Sequence, residues 1–439
     1  MKRLLLSFIF SISALCAFSQ SYDERIAEAM NTSDWIALEQ IYNEAPKDEI
    51  WDFLEIYSRC LIGNRLNRPE ISIPAFAELL QTQSQELGLE NLFSSALMYA
   101  IDLSKVGKNK EAAEILTSIL DATKQYLDSE NVSVLQYHID LYNSLSEYKP
   151  YSLTFQNQTA TIPFTIINDE QNDSSRFKLD SCTINGVDAD ITFDTGAGIN
   201  VISQEMADKL HLIPLNASVI AGGVTNVTGQ YVLAKEVRFG DLTVTDVPFA
   251  ILPFETGNEE ADRFLSDYGI IIGVPFMLQI KDFTINFIDN EISIPSKAPE
   301  RSAQKPNMCF GNSQTFSAKG SVFNQPLFMH IDTGDADYGT LGSQFYETNK
   351  EFVETNGKLD HIRRAGAGGV YESELYVVSD IPVTLGGNTV FPPNLLVEKE
   401  DLSHIEALSF ECNIGIKTLS MFSKVRFNLV DFVLSTEPR

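Results

Sequence analysis

A pattern that occurs twice constrains this chain most. Ile191-Thr192-Phe193-Asp194-Thr195-Gly196 is matched by Met329-His330-Ile331-Asp332-Thr333-Gly334 at an offset of 138. Ala221-Gly222-Gly223-Val224 returns unchanged as Ala367-Gly368-Gly369-Val370 at an offset of 146. Ile272-Gly273-Val274 is answered by Ile414-Gly415-Ile416 at an offset of 142. Thirteen residues after each of those glycines come Asn286-Phe287-Ile288-Asp289 and Asn428-Leu429-Val430-Asp431. A single tripeptide recurs by accident, but ordered landmarks whose offsets agree within eight residues indicate a duplicated domain.

The duplicated stretch reads as all-β. From Lys149-Pro150 onward the chain is rich in Val, Ile, Thr and Phe, with alternation and Gly or Asn turns. Asn185-Gly186 between Ile184 and Val187 predicts a hairpin, because this pair supplies the positive φ angles of a type I′ turn. Pro295 to Pro306 is polar, holds three prolines and reads as a linker. Before Lys149 the period changes. Trp35, Leu38, Ile41 and Tyr42, then Leu92, Ala96, Tyr99, Ala100 and Leu103, recur at helical spacing. Gly107-Lys108-Asn109 interrupts that pattern and Glu111 to Leu116 resumes it. Both tetratricopeptide-type helical hairpins and a plain helical bundle fit this region.

The expected fold is multidomain: an all-α domain over 20–148, then two tandem all-β lobes, 149–298 and 299–439, related by an internal pseudo-twofold. A length of 439 residues accommodates this, since domains run to roughly 100–200 residues.

Charge narrows the partners. The chain carries 32 Lys+Arg against 60 Asp+Glu, net −28, which opposes a nucleic-acid backbone or an anionic lipid surface. Lys2 and Arg3, the apolar run Leu4 to Ala17, and Ala17-Phe18-Ser19 before Gln20 form a secretory signal pattern over 1–19. The expected location is therefore secreted or periplasmic. Lipidation at Cys16 is disfavoured by the large Leu15 before it. No later stretch reaches transmembrane length. Export permits disulfides, and of Cys60, Cys182, Cys309 and Cys412 the pair Cys309–Cys412 is the expected bridge if one forms.

Each Asp-Thr-Gly follows an apolar strand, which fixes a carboxylate, while the glycine admits another backbone. Two lobes packed about a twofold would bring Asp194 and Asp332 face to face. Like charges so close share one proton, giving a base and an acid in one site. No metal, cofactor or serine nucleophile is needed. His138, His211, His330, His361 and His404 are scattered singly, and no HExxH, GxSxG or phosphate-loop pattern occurs.

In Asp194-Thr195-Gly196-Ala197, Asp332-Thr333-Gly334 and the Ile272-Gly273 and Ile414-Gly415 pairs, the chain resembles the aspartic peptidases of the pepsin and retropepsin clan over roughly 155–437. The resemblance implies Asp194 and Asp332 as catalytic dyad. Thr195 and Thr333 would hydrogen-bond across the lobe interface, with Gly196 and Gly334 supporting the loops. Gly222, Gly223, Gly368 and Gly369 would lie on substrate-binding flaps; the other reading of each Ala-Gly-Gly is a tight turn. Asp335 departs from the family, which places Ser, Thr or Ala there. Pointing inward it would raise the proton affinity of the dyad, and pointing outward it would do nothing. His330 shares the Asp332 face of an extended strand, either perturbing the dyad or simply satisfied within the sheet.

The leading expectation is an extracytoplasmic aspartic endopeptidase acting on extended peptide, with the helical domain recruiting a partner or shielding the cleft. The competing ones are a non-catalytic peptide- or glycan-binding module, favoured by Asp335, and lobes that pair between two chains.

Overall fold

The computed structural model describes residues 20–169, 174–254, 262, 268–311, 314–366, 368–403, 405 and 409–439. The expected signal segment 1–19, Ala367 of the second Ala-Gly-Gly, and His404 lie outside them. The chain divides into a helical unit ending at Tyr148 and a β unit, Lys149–Arg439.

The helical unit comprises Tyr22–Asn31, Trp35–Glu44, Asp52–Arg65, Pro69–Thr82, Ser84–Lys105, Asn109–Thr123 and Ser129–Leu145, each packed on the next. Side-chain caps start several of them. Ser21 and Glu24 form a reciprocal capping box, and Asp34 and Asp128 accept from the backbone N–H three residues on. Gly107, at φ +78°, supplies the left-handed step between two helices where the periodicity predicts a break. Inside, the buried Asp102 carboxylate is satisfied by Asn64 (3.0 Å), Ser72 (2.6 Å) and Lys105 (3.0 Å). None of the described helices is long and apolar enough to cross a membrane.

Among the described residues the β unit holds two sheets. The first is built from strands between Ser152 and Pro295, the second from strands between Met308 and Ile414. The Asn185-Gly186 hairpin forms as expected: Ile184 pairs Val187, with φ +50° and +81° at the turn. The last two strands, Lys424–Asn428 and Val433–Glu437, join the first sheet, where Lys424–Asn428 pairs antiparallel with Asp282–Asn286. Residues 299–439 therefore do not keep their own C-terminal strands. Phe283 and Phe427 stack at 4.7 Å across this junction, both fully buried. One hydrophobic core consequently runs through strands of both sheets.

The polar linker is tied down. Pro295 ends the strand Glu291–Pro295, and Ser302 donates to Asp431 through both its backbone N–H (2.8 Å) and its hydroxyl (2.9 Å). The expected Cys309–Cys412 bridge is corrected: no disulfide forms, and the four described cysteines are buried thiols. Cys309 and Cys412 sit on strands separated by Phe316–Val322 and Gln325–Ile331. Three strand spacings come to roughly 14 Å, twice the reach of a disulfide.

Candidate active site

Two short strands aim the Asp-Thr-Gly loops. Ile191–Phe193, wholly buried, runs parallel to Ile270–Ile272, and the Asp194 N–H donates to the Ile272 carbonyl at 2.9 Å. Gln325–Ile331 runs parallel to Cys412–Ile414, and the Asp332 N–H donates to the Ile414 carbonyl at 3.0 Å. Glycine is required beside each loop. A Cβ on Gly273 would lie 2.3 Å from the Ala197 carbonyl oxygen, and one on Gly415 2.3 Å from that of Asp337. The Asn-x-x-Asp landmarks behave alike too. Asn286 accepts from the N–H groups of Ile288 and Asp289, and Asn428 from those of Val430 and Asp431.

The two loops interlock through their threonines. Thr195 Oγ1 donates to the Ile331 carbonyl (2.7 Å) and accepts from the Thr333 N–H (3.0 Å). Thr333 Oγ1 donates to the Phe193 carbonyl (2.6 Å) and accepts from the Thr195 N–H (3.0 Å). Both threonines are buried, so these four bonds exclude water and hold the loops in one geometry.

The carboxyls then meet. Asp194 Oδ1 accepts from the Gly196 N–H (2.7 Å), and Asp332 Oδ1 from those of Gly334 (2.8 Å) and Asp335 (3.0 Å). Each carboxyl also covers the other loop's glycine. A Cβ on Gly196 would lie 2.4 Å from Asp332 Cγ, and one on Gly334 2.4 Å from Asp194 Cγ. The side chains hydrogen-bond to each other. The Asp332 side chain keeps 23% exposure, so the pair faces outward from the threonines buried behind it.

Such a pair cannot carry two charges cheaply. Burial raises both carboxyls above the usual range, and Asp332 lies well above it because the charges of Asp194 and Asp335 add to burial. For Asp194 the hydrogen bond from Asp332 and those from the loop backbone pull the other way. The two carboxyls therefore hold one proton and one charge between them.

Asp335 points inward. Its Oδ2 accepts from Asn413 (2.6 Å) and its Oδ1 from the Asp337 N–H (3.0 Å). Asp335→Asn removes one nearby negative charge, so ionisation of Asp332 becomes easier and its pKa falls. A pH titration of Asp332, or of any activity that needs its proton, should move to lower pH in this variant. His330 is 3% exposed, stacked on Phe410 at 3.8 Å and within 3.3 Å of Thr315. Burial pushes its pKa down to about 3, so it stands neutral beside Asp332, 3.9 Å away. Of the two readings, the satisfied sheet residue is the one observed.

The glycine-rich segments form hairpin tips. Gly222 and Gly223 follow the strand Ile213–Ala221, whose partner begins at Val227, and Gly368 lies between the paired Gly366 and Gly369. The tips touch. Thr225 Oγ1 donates to the Gly368 carbonyl (2.5 Å), and Cβ atoms on Gly366 or Gly369 would each lie 3.2 Å from Val224. Gly368, at φ +78°, adopts a turn that side chains disfavour.

Sequence reading missed Asn413, which orients Asp335, and Asn200, which accepts from the Gly273 N–H (2.9 Å) and donates to Pro248 O (2.9 Å). It also missed Tyr268, buried close enough to feel the charges of Asp194, Asp332 and Asp335. No local motif marks any of them. Among the described residues no group of three or more His, Cys, Asp or Glu side chains is placed to hold a metal.

The aspartyl protease family model matches residues 181–276, which supports an aspartyl protease-like domain and with it peptidase activity. That range holds the first Asp-Thr-Gly, the first Ala-Gly-Gly and Ile272-Gly273, while the second set lies outside it. No curated protein matches the chain.

Proposed function

We propose that this protein is an aspartic endopeptidase acting outside the cytoplasm, with Asp194 and Asp332 as its catalytic dyad at the junction of two duplicated lobes. The observation that carries this is the mutual seating of the two carboxyls, each over the other loop's glycine. A buried carboxyl pair is unfavourable, and its maintenance by four threonine hydrogen bonds argues for use.

In the reaction, ionised Asp194 takes a proton from a water, whose oxygen attacks the carbonyl carbon of the scissile amide. Protonated Asp332 donates to the carbonyl oxygen, giving a neutral tetrahedral diol. On collapse Asp194 returns its proton to the leaving nitrogen and Asp332 recovers one from the diol hydroxyl. The C–N bond breaks, and acid and amine leave with the dyad restored. The touching hairpin tips act as two flaps that part to admit an extended peptide, with Gly222, Gly223, Gly368 and Gly369 giving room for its backbone. The helical unit serves as a tetratricopeptide-like module that recruits a protein partner.

The test is digestion of a broad peptide library between pH 3 and 8 by the mature chain, followed by mass spectrometry. Cleavage should fall on the alkaline side as Asp332 loses its proton, at a pH above the usual carboxylate range, and on the acid side as Asp194 gains one. No cleavage at any pH contradicts the proposal. The competing reading, a binding module that cleaves nothing, is favoured by the third inward carboxyl of Asp335.

A further inference from the structure

The sheet rows leading away from the two aspartates have the same connectivity and opposite chemistry. In the first half, Thr192 pairs with Ile271, Ile271 with Val201, and Val201 with Ala250. Residues directly paired across strands share a face, and so does Leu252, two further along. Ile199 and Tyr231 pack against this row, which is apolar beyond Thr192. In the second half, His330 pairs with Asn413, Asn413 with Thr340, and Thr340 with Leu396, and Glu398 stands where the first half has Leu252. Ile271, Val201 and Leu252 are thus exchanged for Asn413, Thr340 and Glu398.

The polar row is built around a buried carboxylate. Glu398 is 4% exposed, and its Oε1 accepts from Arg364 Nη2 (2.5 Å) and from Ser373 (3.3 Å). Its Oε2 finds no hydrogen-bond partner among the described residues, and neither does Asn413 Oδ1. Arg364 also donates to Thr340 (2.9 Å), which fixes it over the row. Two carboxyls, Asp335 and Glu398, face one guanidinium. Lys417, 3.7 Å from Asp337, also acts on Asp335, and the Glu400 charge acts on Glu398. Burial holds the Glu398 carboxyl above its ordinary range, with the Arg364 charge opposing it. A buried acceptor without a partner costs free energy unless a ligand donor reaches it.

We propose that this row is a specificity subsite for a basic side chain, lysine or arginine, of the peptide substrate, while the first-half row takes an apolar one. The inference rests on the peptidase reading and deepens it. A long cationic side chain passes the half-buried Asn413 and Thr340 and reaches Glu398 Oε2 with its charged end. Arg364 Nε is likewise unpartnered among the described residues. An acidic side chain could use it only by adding a third carboxylate. The overall charge of −28 also draws basic peptides toward the chain. The Glu398 strand lies three strand spacings from that of His330, about 14 Å. At about 3.3 Å per residue of extended substrate, the recognised position falls within about four residues of the scissile bond.

The test compares peptides differing only by Lys, Leu or Glu at each position around a cleaved bond. Wild type should prefer Lys or Arg over Leu at one fixed position, by at least about tenfold in kcat/KM, as for a charged hydrogen bond. Glu398→Gln keeps the shape of the carboxylate and should erase most of that preference. Asn413→Ile, which installs the residue of the other row, should act in the same direction should the first variant fold poorly. Cleavage with no basic preference, or with an acidic one, overturns the subsite and leaves the peptidase standing. Binding to the Asp194→Asn variant separates the two claims. If nothing is cleaved, yet Lys peptides bind more tightly than Leu peptides and Glu398→Gln removes the difference, the subsite stands and the peptidase falls. If no peptide is cleaved and none binds with that preference, both are overturned.

Discussion

Asp194→Asn should abolish peptide cleavage, by at least about 10³-fold in kcat, with the β unit still folded. Asn retains the oxygen that accepts from the Gly196 N–H (2.7 Å), so the loop keeps its shape. What it cannot do is take a proton from water at ordinary pH. The same change relieves the dyad. Asp332 has a folded-state pKa well above the ordinary value, near 4, partly through the Asp194 charge. The stability contributed by a group raised in this way is fully present below its unfolded pKa and is lost as pH rises through the folded one. Wild type should therefore lose stability as pH rises from about 4 through the pKa of Asp332, and Asp194→Asn should lose less. Melting curves at pH 7 should place the variant at or above wild type, with the gap closing below about pH 4. Loss of activity together with loss of fold would instead give the carboxylate a structural role.

Thr195→Val should lower the stability of the β unit by about 2–6 kcal/mol, because it strands two buried polar groups at about 1–3 kcal/mol each. The Thr195 hydroxyl bridges its loop to the Ile331 carbonyl and the Thr333 N–H. Valine has nearly the same shape and neither function. Thr195→Ser should recover most of the loss, since it keeps the hydroxyl. Thr333→Val should cost a similar amount, because Thr333 makes the same two bonds in reverse. The double variant should cost less than the sum, as the two residues share one network. Urea unfolding of wild type and the four variants measures this. Cleavage should fall in parallel, at least about tenfold, since carboxyls displaced by about 1 Å no longer share a water.

What the sequence makes legible is what is local. Asp194, Thr195 and Gly196, their partners Asp332, Thr333 and Gly334, and the glycines at 273 and 415 each carry their constraint within a few residues, so it survives as a readable motif. The Asn185-Gly186 turn and the break at Gly107 are legible for the same reason. Long-range pairings leave no such trace. Alternation marks Lys424–Asn428 as a strand, yet nothing in it names Asp282–Asn286, 142 residues earlier, as the partner. Arg364 finds Glu398 34 residues on, and Asp335 finds Asn413 78 residues on, through strand order alone. The Cys309–Cys412 expectation failed for that reason: falling in one lobe says nothing of the two strands between them. The direction of Asp335 was open because an aspartate after a turn faces inward or outward with equal ease. Asn413, on a separate strand, decides it.

The central claim is that Asp194 and Asp332 hold one proton between them, and carbon NMR of the chain labelled at aspartate Cγ reads it directly. Difference spectra against Asp194→Asn and Asp332→Asn assign the two carboxyls. The account predicts that one stays protonated well above the ordinary aspartate range near pH 4, and that its titration moves down when the other is replaced by Asn. Two independent titrations, both near pH 4 and each indifferent to loss of the other, would contradict it.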